Sequence, residues 1–197
     1  MKRFILFAGL LAASAINSFA TINVTYVNTT GAGPFNWNYD AELNANSQLV
    51  GTGALDQNHN GFFTIYDITG YINAIVPNAD WNFSAQSSGF TSSGVLVSDD
   101  ARTNVTFFYT GAGISTVGLG SQGLNAPGTF FTIVSTSNTS RVDNISYRDL
   151  NAAGQPADGR SFTEVPGDPR SVVPEPATMS LIGGTLAGLA FVVRRRK

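Results

Sequence analysis

Phe35-Asn36-Trp37-Asn38-Tyr39-Asp40-Ala41-Glu42-Leu43-Asn44 alternates apolar and polar side chains over ten consecutive residues. In an extended chain successive side chains point to opposite faces, so all five apolar groups fall on one side. A period of two over this length specifies a half-buried β-strand. Shorter copies of the pattern flank it: Ile22-Val24-Tyr26, Trp81-Phe83-Ala85, Val95-Val97, Val105-Phe107-Tyr109, Phe131-Ile133 and Ile145-Tyr147. Phe62 to Ile68 is apolar almost throughout, as expected for a strand covered on both faces. Gly, Asn and Ser clusters separate the runs, as at Gly31-Ala32-Gly33, Ser87-Ser88-Gly89 and Gly118 to Gly123. Ile68 to Val76 has room for a short helix, bounded by Gly70 and Pro77. Many short strands with one apolar face each must close into two layers. The expected fold is all-β, a single β-sandwich of jelly-roll or immunoglobulin-like type over residues 21–150.

Composition narrows the function classes. The chain has no cysteine, which removes disulfide frameworks, thiol catalysis and thiolate metal sites. Residues 21–173 hold five arginines, no lysine and twelve carboxylates, a net charge of −7, so a basic footprint for nucleic acid is missing. Asn, Ser, Thr and Gly carry the solubility instead. Beyond Leu150 the sequence is rich in Gly and Pro and poor in apolar residues, and 151–173 is expected to be a linker, with a possible edge strand near Ser161 to Val165.

The two ends read as processing signals. Lys2 and Arg3 precede an apolar run from Phe4 to Ile16, and Ser18-Phe19-Ala20 places small residues at the −3 and −1 positions of a signal-peptidase site. Cleavage between Ala20 and Thr21 removes residues 1–20 as a signal peptide. At the other end Pro174-Glu175-Pro176 leads into the apolar run Ala177 to Val193, and the chain closes on Arg194-Arg195-Arg196-Lys197. Seventeen apolar residues are at the short limit of the roughly 17 to 25 that cross a ~30 Å hydrocarbon core. The cations keep the terminus cytoplasmic and leave the domain outside. The prolines hold Glu175 in extended backbone at the outer membrane face, the form a protease binds. A GPI signal also ends in a removable apolar stretch, but four terminal cations distinguish this tail from it.

This tripartite tail, residues 173 to 197, resembles the PEP-CTERM sorting signal. The resemblance assigns the recognition role to Pro174, Glu175 and Pro176 and the cytoplasmic stop to Arg194, Arg195 and Arg196. It implies processing by the membrane protease-transpeptidase exosortase, after signal peptidase, and a Gram-negative host that makes exopolysaccharide. It places the product transiently in the inner membrane through helix 177–193, then at the cell surface or in the extracellular matrix. The domain in front of the tail is left unidentified by it.

Within that domain the chemical candidates are few. Asp56-Gln57-Asn58-His59-Asn60-Gly61, followed by Asp67, has the spacing of a calcium loop, with oxygens from Asp56, Asn58, Asn60 and Asp67. The competing reading is a polar hairpin loop turned at Asn60-Gly61. Calcium is the one cofactor to consider. His59, the single histidine, is expected to be an exposed loop residue, and no nucleophile motif accompanies it. Asp40 and Glu42 share the polar face of one strand, a spacing also used in glycoside chemistry. Trp37, Tyr39 and Trp81 are either core residues or a stacking platform for sugar rings. Arg141-Val142-Asp143-Asn144-Ile145-Ser146-Tyr147 resembles the final strand of jelly-roll carbohydrate-binding modules. The leading expectation is a non-catalytic surface or matrix protein. The alternatives are a carbohydrate-binding module that holds matrix polysaccharide and a secreted hydrolase.

Overall fold

The computed structural model describes residues 21–51, 55–56, 59–92, 95–97 and 99–168. The signal peptide, the tail with its span Ala177–Val193, and Asn58 lie outside the described residues. Among the described residues every regular element is a strand, and no helix is long and apolar enough to cross a membrane.

Two antiparallel sheets share one core. In the first, β1 (Ile22–Thr30) and β2 (Phe35–Leu43) form a hairpin in register from Ile22 opposite Leu43 to Thr30 opposite Asn36, with a bulge at Val27. The second sheet opens with β3 (Ser47–Leu49) and β4 (Phe62–Ile68). The chain returns to the first sheet as β5 (Tyr71–Ile75), then to the second as β6 (Trp81–Gln86), β7 (Thr103–Tyr109) and the short β8 (Ile114–Ser115). It crosses back for β9 (Gln122–Gly123) and β10 (Phe131–Ser135), both against β2, with β5 on the far side of β10. The hairpin β11 (Ser140–Asn151) and β12 (Pro156–Pro166) completes the second sheet. One edge of β11 pairs with β12 over its length. The other edge meets β4 at Ile145–Arg148 and β3 at Leu150–Asn151. β3 and β4 thus form one interrupted line beside β11, with residues 50–61 as the excursion between them.

The alternation of β2 has the predicted outcome. Trp37, Tyr39, Ala41 and Leu43 point into the core, where they meet Phe63, Ile65, Val105, Phe107, Ile145 and Tyr147 of the opposite sheet. Phe131 is the hub of an aromatic cluster, with Trp81 at 4.8 Å, Phe63 at 5.0 Å and Phe107 at 5.3 Å, all edge-to-face. That geometry sets ring edges against π faces and adds about 0.5–1.5 kcal/mol per pair beyond area burial. The buried polar tips are satisfied: Trp37 Nε1 donates to the Ser137 carbonyl and Tyr39 Oη to the Glu164 carbonyl, each at 3.0 Å.

Three expectations are corrected. The stretch 151–173 is not simply a linker: the edge strand expected near Ser161 to Val165 is there and extends over Pro156–Pro166, paired residue for residue with Leu150 to Ser140. Its glycine has a packing role: a Cβ on Gly159 would lie 2.2 Å from the Tyr147 hydroxyl, so only glycine lets that ring lie across the pair. The region Ile68 to Val76 holds strand β5 in place of a helix. Val95 to Val97 is not a strand. It belongs to an irregular segment, 87–102, that lies over the outer face of the second sheet.

Hydroxyl groups fasten that segment. Thr64 Oγ1, Tyr66 Oη and Ser146 Oγ converge on the Phe90 carbonyl at 2.8, 2.9 and 3.1 Å. Thr64 and Thr106 share a hydrogen bond at 2.8 Å, and Arg160 donates to the Leu96 carbonyl at 3.0 Å. A sheet face of Thr, Tyr and Ser, which alternation alone would leave in water, is thereby buried.

Candidate functional site

A surface groove of about 440 Å³ lies on the outer face of the first sheet. Asp40 and Glu42 enter it from β2, Val27 from the β1 bulge and Gly123 from β9. The connection to β10 supplies Asn125, Pro127, Gly128 and Phe130. That loop is built on a tight turn. Thr129 N–H donates to the Ala126 carbonyl at 2.9 Å, with Pro127 and Gly128 at the central positions and Gly128 at φ +82°. Proline then glycine at these places is the signature of a type II turn. Asn125 clips the turn to the sheet. Its Nδ2 donates to Asp40 Oδ1 at 2.7 Å and to the Thr129 carbonyl at 2.6 Å, while its Oδ1 accepts from Ala41 N–H at 3.1 Å.

The groove offers two carboxylates two residues apart on one strand face, beside the apolar side chains of Val27 and Phe130. Carboxylates accept hydrogen bonds from hydroxyl and amine donors, and charge-assisted bonds are about twice as strong as neutral ones. Asn125 was not singled out from the sequence. The local signal for it was Ala126-Pro127-Gly128-Thr129, a turn that forces the preceding residue against its neighbouring strand.

The other candidates have structural positions. Trp37, Tyr39 and Trp81 are 1%, 0% and 3% exposed, so they are core and present no platform to a sugar. Asp56 is exposed in the excursion between β3 and β4. Asn60 and Asp67 stand at opposite ends of β4, which at about 3.3 Å per residue separates them by roughly 20 Å. One calcium ion, with ligands at about 2.3–2.6 Å, cannot be shared across that distance, so the structure does not bring the loop together. Among the described residues no group of three or more metal-ligating His, Asp or Glu side chains is assembled.

His59 is corrected from exposed to fully buried. Its Nε2–H donates to the Tyr109 carbonyl at 2.8 Å, and its ring stands edge-on to Phe108. The imidazole therefore ties the excursion 50–61 to the end of β7.

Asp67, next to last in β4, lies in the left-handed region, at φ +58°, and is fully buried. Its carboxylate accepts from Asp100 N–H at 2.8 Å, and its carbonyl accepts from the Arg141 guanidinium. Arg141 in turn forms a buried ion pair with Asp143 at 3.0 Å. Burial pushes the Asp67 carboxyl up to about 6; the Asp100 N–H opposes this, and the Asp143 and Asp100 charges add to it. The run Arg141–Tyr147 therefore supplies structural charge within β11, the penultimate strand.

The PEP-CTERM protein-sorting motif model matches residues 172–197. No curated protein and no solved structure matches the chain. The C-terminal tail thus matches a PEP-CTERM protein-sorting motif, which implies an exported protein handled at the membrane by exosortase.

Proposed function

We propose that this protein is a non-catalytic component of the cell surface or extracellular matrix of a Gram-negative bacterium, and that its displayed domain is a single β-sandwich. The observation that carries the reading is the sorting motif at residues 172–197. Such a tail holds an exported domain at the inner membrane for processing, after the leader has directed it across. The domain delivered is acidic, free of cysteine and built from two sheets around an aromatic core. Residues that sequence reasoning considered for chemistry have fold-maintaining partners: His59 holds Tyr109, and Asp40 holds Asn125.

The test acts on Glu175. It is a single charge fixed between two prolines, and the nearest other acid is Asp168, seven residues away. The apolar run acts through summed transfer energy, so a single Leu→Ala change there removes only part of a distributed term. Glu175→Ala is therefore expected to be exported, stopped by Ala177 to Val193, and retained unprocessed in the inner-membrane fraction as a larger species on an immunoblot. Normal size and amount at the surface would replace this reading with a plain membrane anchor.

A second reading, that the domain holds matrix polysaccharide, is favoured by the groove. Asp40 and Glu42 present acceptors to sugar hydroxyls, and Val27 and Phe130 supply apolar contact. Retention of the surface-purified protein on extracellular polysaccharide is expected to fall about tenfold in Asp40→Asn/Glu42→Gln, consistent with losing one charge-assisted hydrogen bond. Equal retention would remove the second reading and leave the first.

A further inference from the structure

Where the ends of β1, β3 and β11 meet, the core contains a carboxylate. Asp149 is fully buried, on the face of β11 that also carries Ile145 and Tyr147 into the core. Neither of its oxygens accepts a hydrogen bond of regular geometry from the described residues. Its sequence neighbour Arg148 points to the opposite face and pairs with Asp158 at 3.1 Å. Burial drives the Asp149 carboxyl up to about 7; the Ser47 hydroxyl beside it opposes this, and the Asp158 charge adds to it. An ionised carboxylate in such a place requires a counter-charge.

Ser47 points to the source of one. Its fully buried Oγ accepts from the backbone nitrogen of Thr21 at 3.3 Å. Thr21 is held in place at its other end, because its carbonyl accepts from Asn44 N–H at 3.0 Å. In the uncut chain that nitrogen is a neutral amide with one N–H. Hydrolysis of the Ala20–Thr21 bond consumes one water and leaves a carboxylate on Ala20 and a primary ammonium on Thr21. The same nitrogen then carries three donors and a positive charge, with an ordinary pKa of about 7.7–8.0.

We propose that the α-ammonium of Thr21, created when the leader is cut, is the counter-ion of buried Asp149, with Ser47 bridging the two. The proposal rests on cleavage at Ala20–Thr21. Maturation then does more than release the chain. It supplies the charge that the sheet end lacks, and the domain becomes most stable only after export. Ser47, Asp149 and Thr21 form a binding site for the chain's own new terminus.

The test uses full-length chains processed by the exporting cell: wild type, Asp149→Asn, a chain with one glycine inserted between Ala20 and Thr21, and the combination. Intact mass establishes the first residue of each. Asp149→Asn is expected to lower the melting temperature by roughly 4–8 °C when the chain starts at Thr21. It is expected to leave the melting temperature unchanged or raise it when the extra glycine, about 3.8 Å long, displaces the ammonium. Equal shifts in the two backgrounds would overturn the pairing. A second readout is chemical. Lys2 and Lys197 are the only lysines, so the Thr21 amine is the sole primary amine between the processed ends. Its acylation at pH 7 by an amine-selective ester, located by mass spectrometry, is expected to run at least about tenfold faster in Asp149→Asn, the rate ratio of one unit of pKa. A chain that starts at Thr21 but acylates equally fast with and without Asp149 overturns the ion pair and leaves the processing reading standing. A chain that starts elsewhere overturns both.

Discussion

β2 and β4, with only the short β3 between them in sequence, lie in opposite sheets and contribute to the same core. Yet β2 alternates between buried and accessible positions from Tyr39 onward, whereas every residue of β4 is buried. The inner faces are equivalent: Trp37 and Tyr39 in one strand, Phe63 and Ile65 in the other. The outer faces differ because segment 87–102 crosses only the second sheet. The covered face carries Thr64 and Tyr66, whose hydroxyls hold the cover in place, and the open face carries Asp40 and Glu42, which line the groove. A polar residue on a strand thus signals water in one sheet and a hydrogen-bonded cover in the other.

Substitutions in the two strands put magnitudes on this comparison. The largest effect is expected where the strands are alike. Trp37→Ala and Phe63→Ala should each destabilise the fold by about 3–5 kcal/mol, since both leave a cavity in a packed aromatic core. Denaturant melts would show it, and a clearly smaller loss in either would mean the two inner faces are not equivalent.

The next effect separates the aspartates. Asp67 has a folded pKa pushed above the ordinary carboxylate range, to about 6, so the native state holds its proton more tightly than the unfolded chain does. Its contribution to stability is present at low pH and is lost as pH rises from about 4 through about 6. Asn tolerates the left-handed backbone at this position and keeps an oxygen for Asp100 N–H. Asp67→Asn should accordingly be more stable than wild type above pH 6, by roughly 1–3 kcal/mol, with the gap closing toward pH 4. Asp40, by contrast, is exposed on the open face and adds no buried charge. Parallel profiles for wild type and Asp67→Asn would break this contrast.

Tyr66→Phe removes the hydroxyl that reaches Phe90, Thr91 and Ser146 and should cost about 1 kcal/mol. Its more telling consequence is local: proteolysis within 87–102 should speed up while the core melts nearly as before. Smallest is Asp40→Asn, an exposed change that keeps an acceptor for Asn125 and should shift stability by no more than about 0.5 kcal/mol. A larger loss would show that the Asn125 clip holds more of the first sheet than its own turn.

Not every strand was equally legible. β1, β2, β6, β7 and β10 follow from alternation because each has one face on the core. β4 follows from its length of apolar residues. β12 was visible only in its middle, near Ser161 to Val165, because Pro156, Gly159 and Pro166 resemble linker composition, although Gly159 serves to admit the Tyr147 ring. The groove was half visible: Asp40 and Glu42 stand out as a pair, but Asn125 lies more than eighty residues away and meets them only through the sheet. His59 misled for the same reason. Its polar neighbours in sequence suggest a loop in water, and the groups that bury it, Phe108 and Tyr109, come from another strand.

By itself the sequence determined the placement of most strands, their inward faces and the export address. Those properties reside in short contiguous stretches: a period of two for the strands, and a proline-bracketed glutamate with its apolar run and cations for the sorting motif. Only the tertiary structure decided what covers the outer face of β4, how far the strand around Ser161 to Val165 extends, and that His59, Asp67 and Asp149 lie out of water. The physical reason is that burial of a polar group depends on what crosses over it, and here every covering group comes from a distant part of the chain.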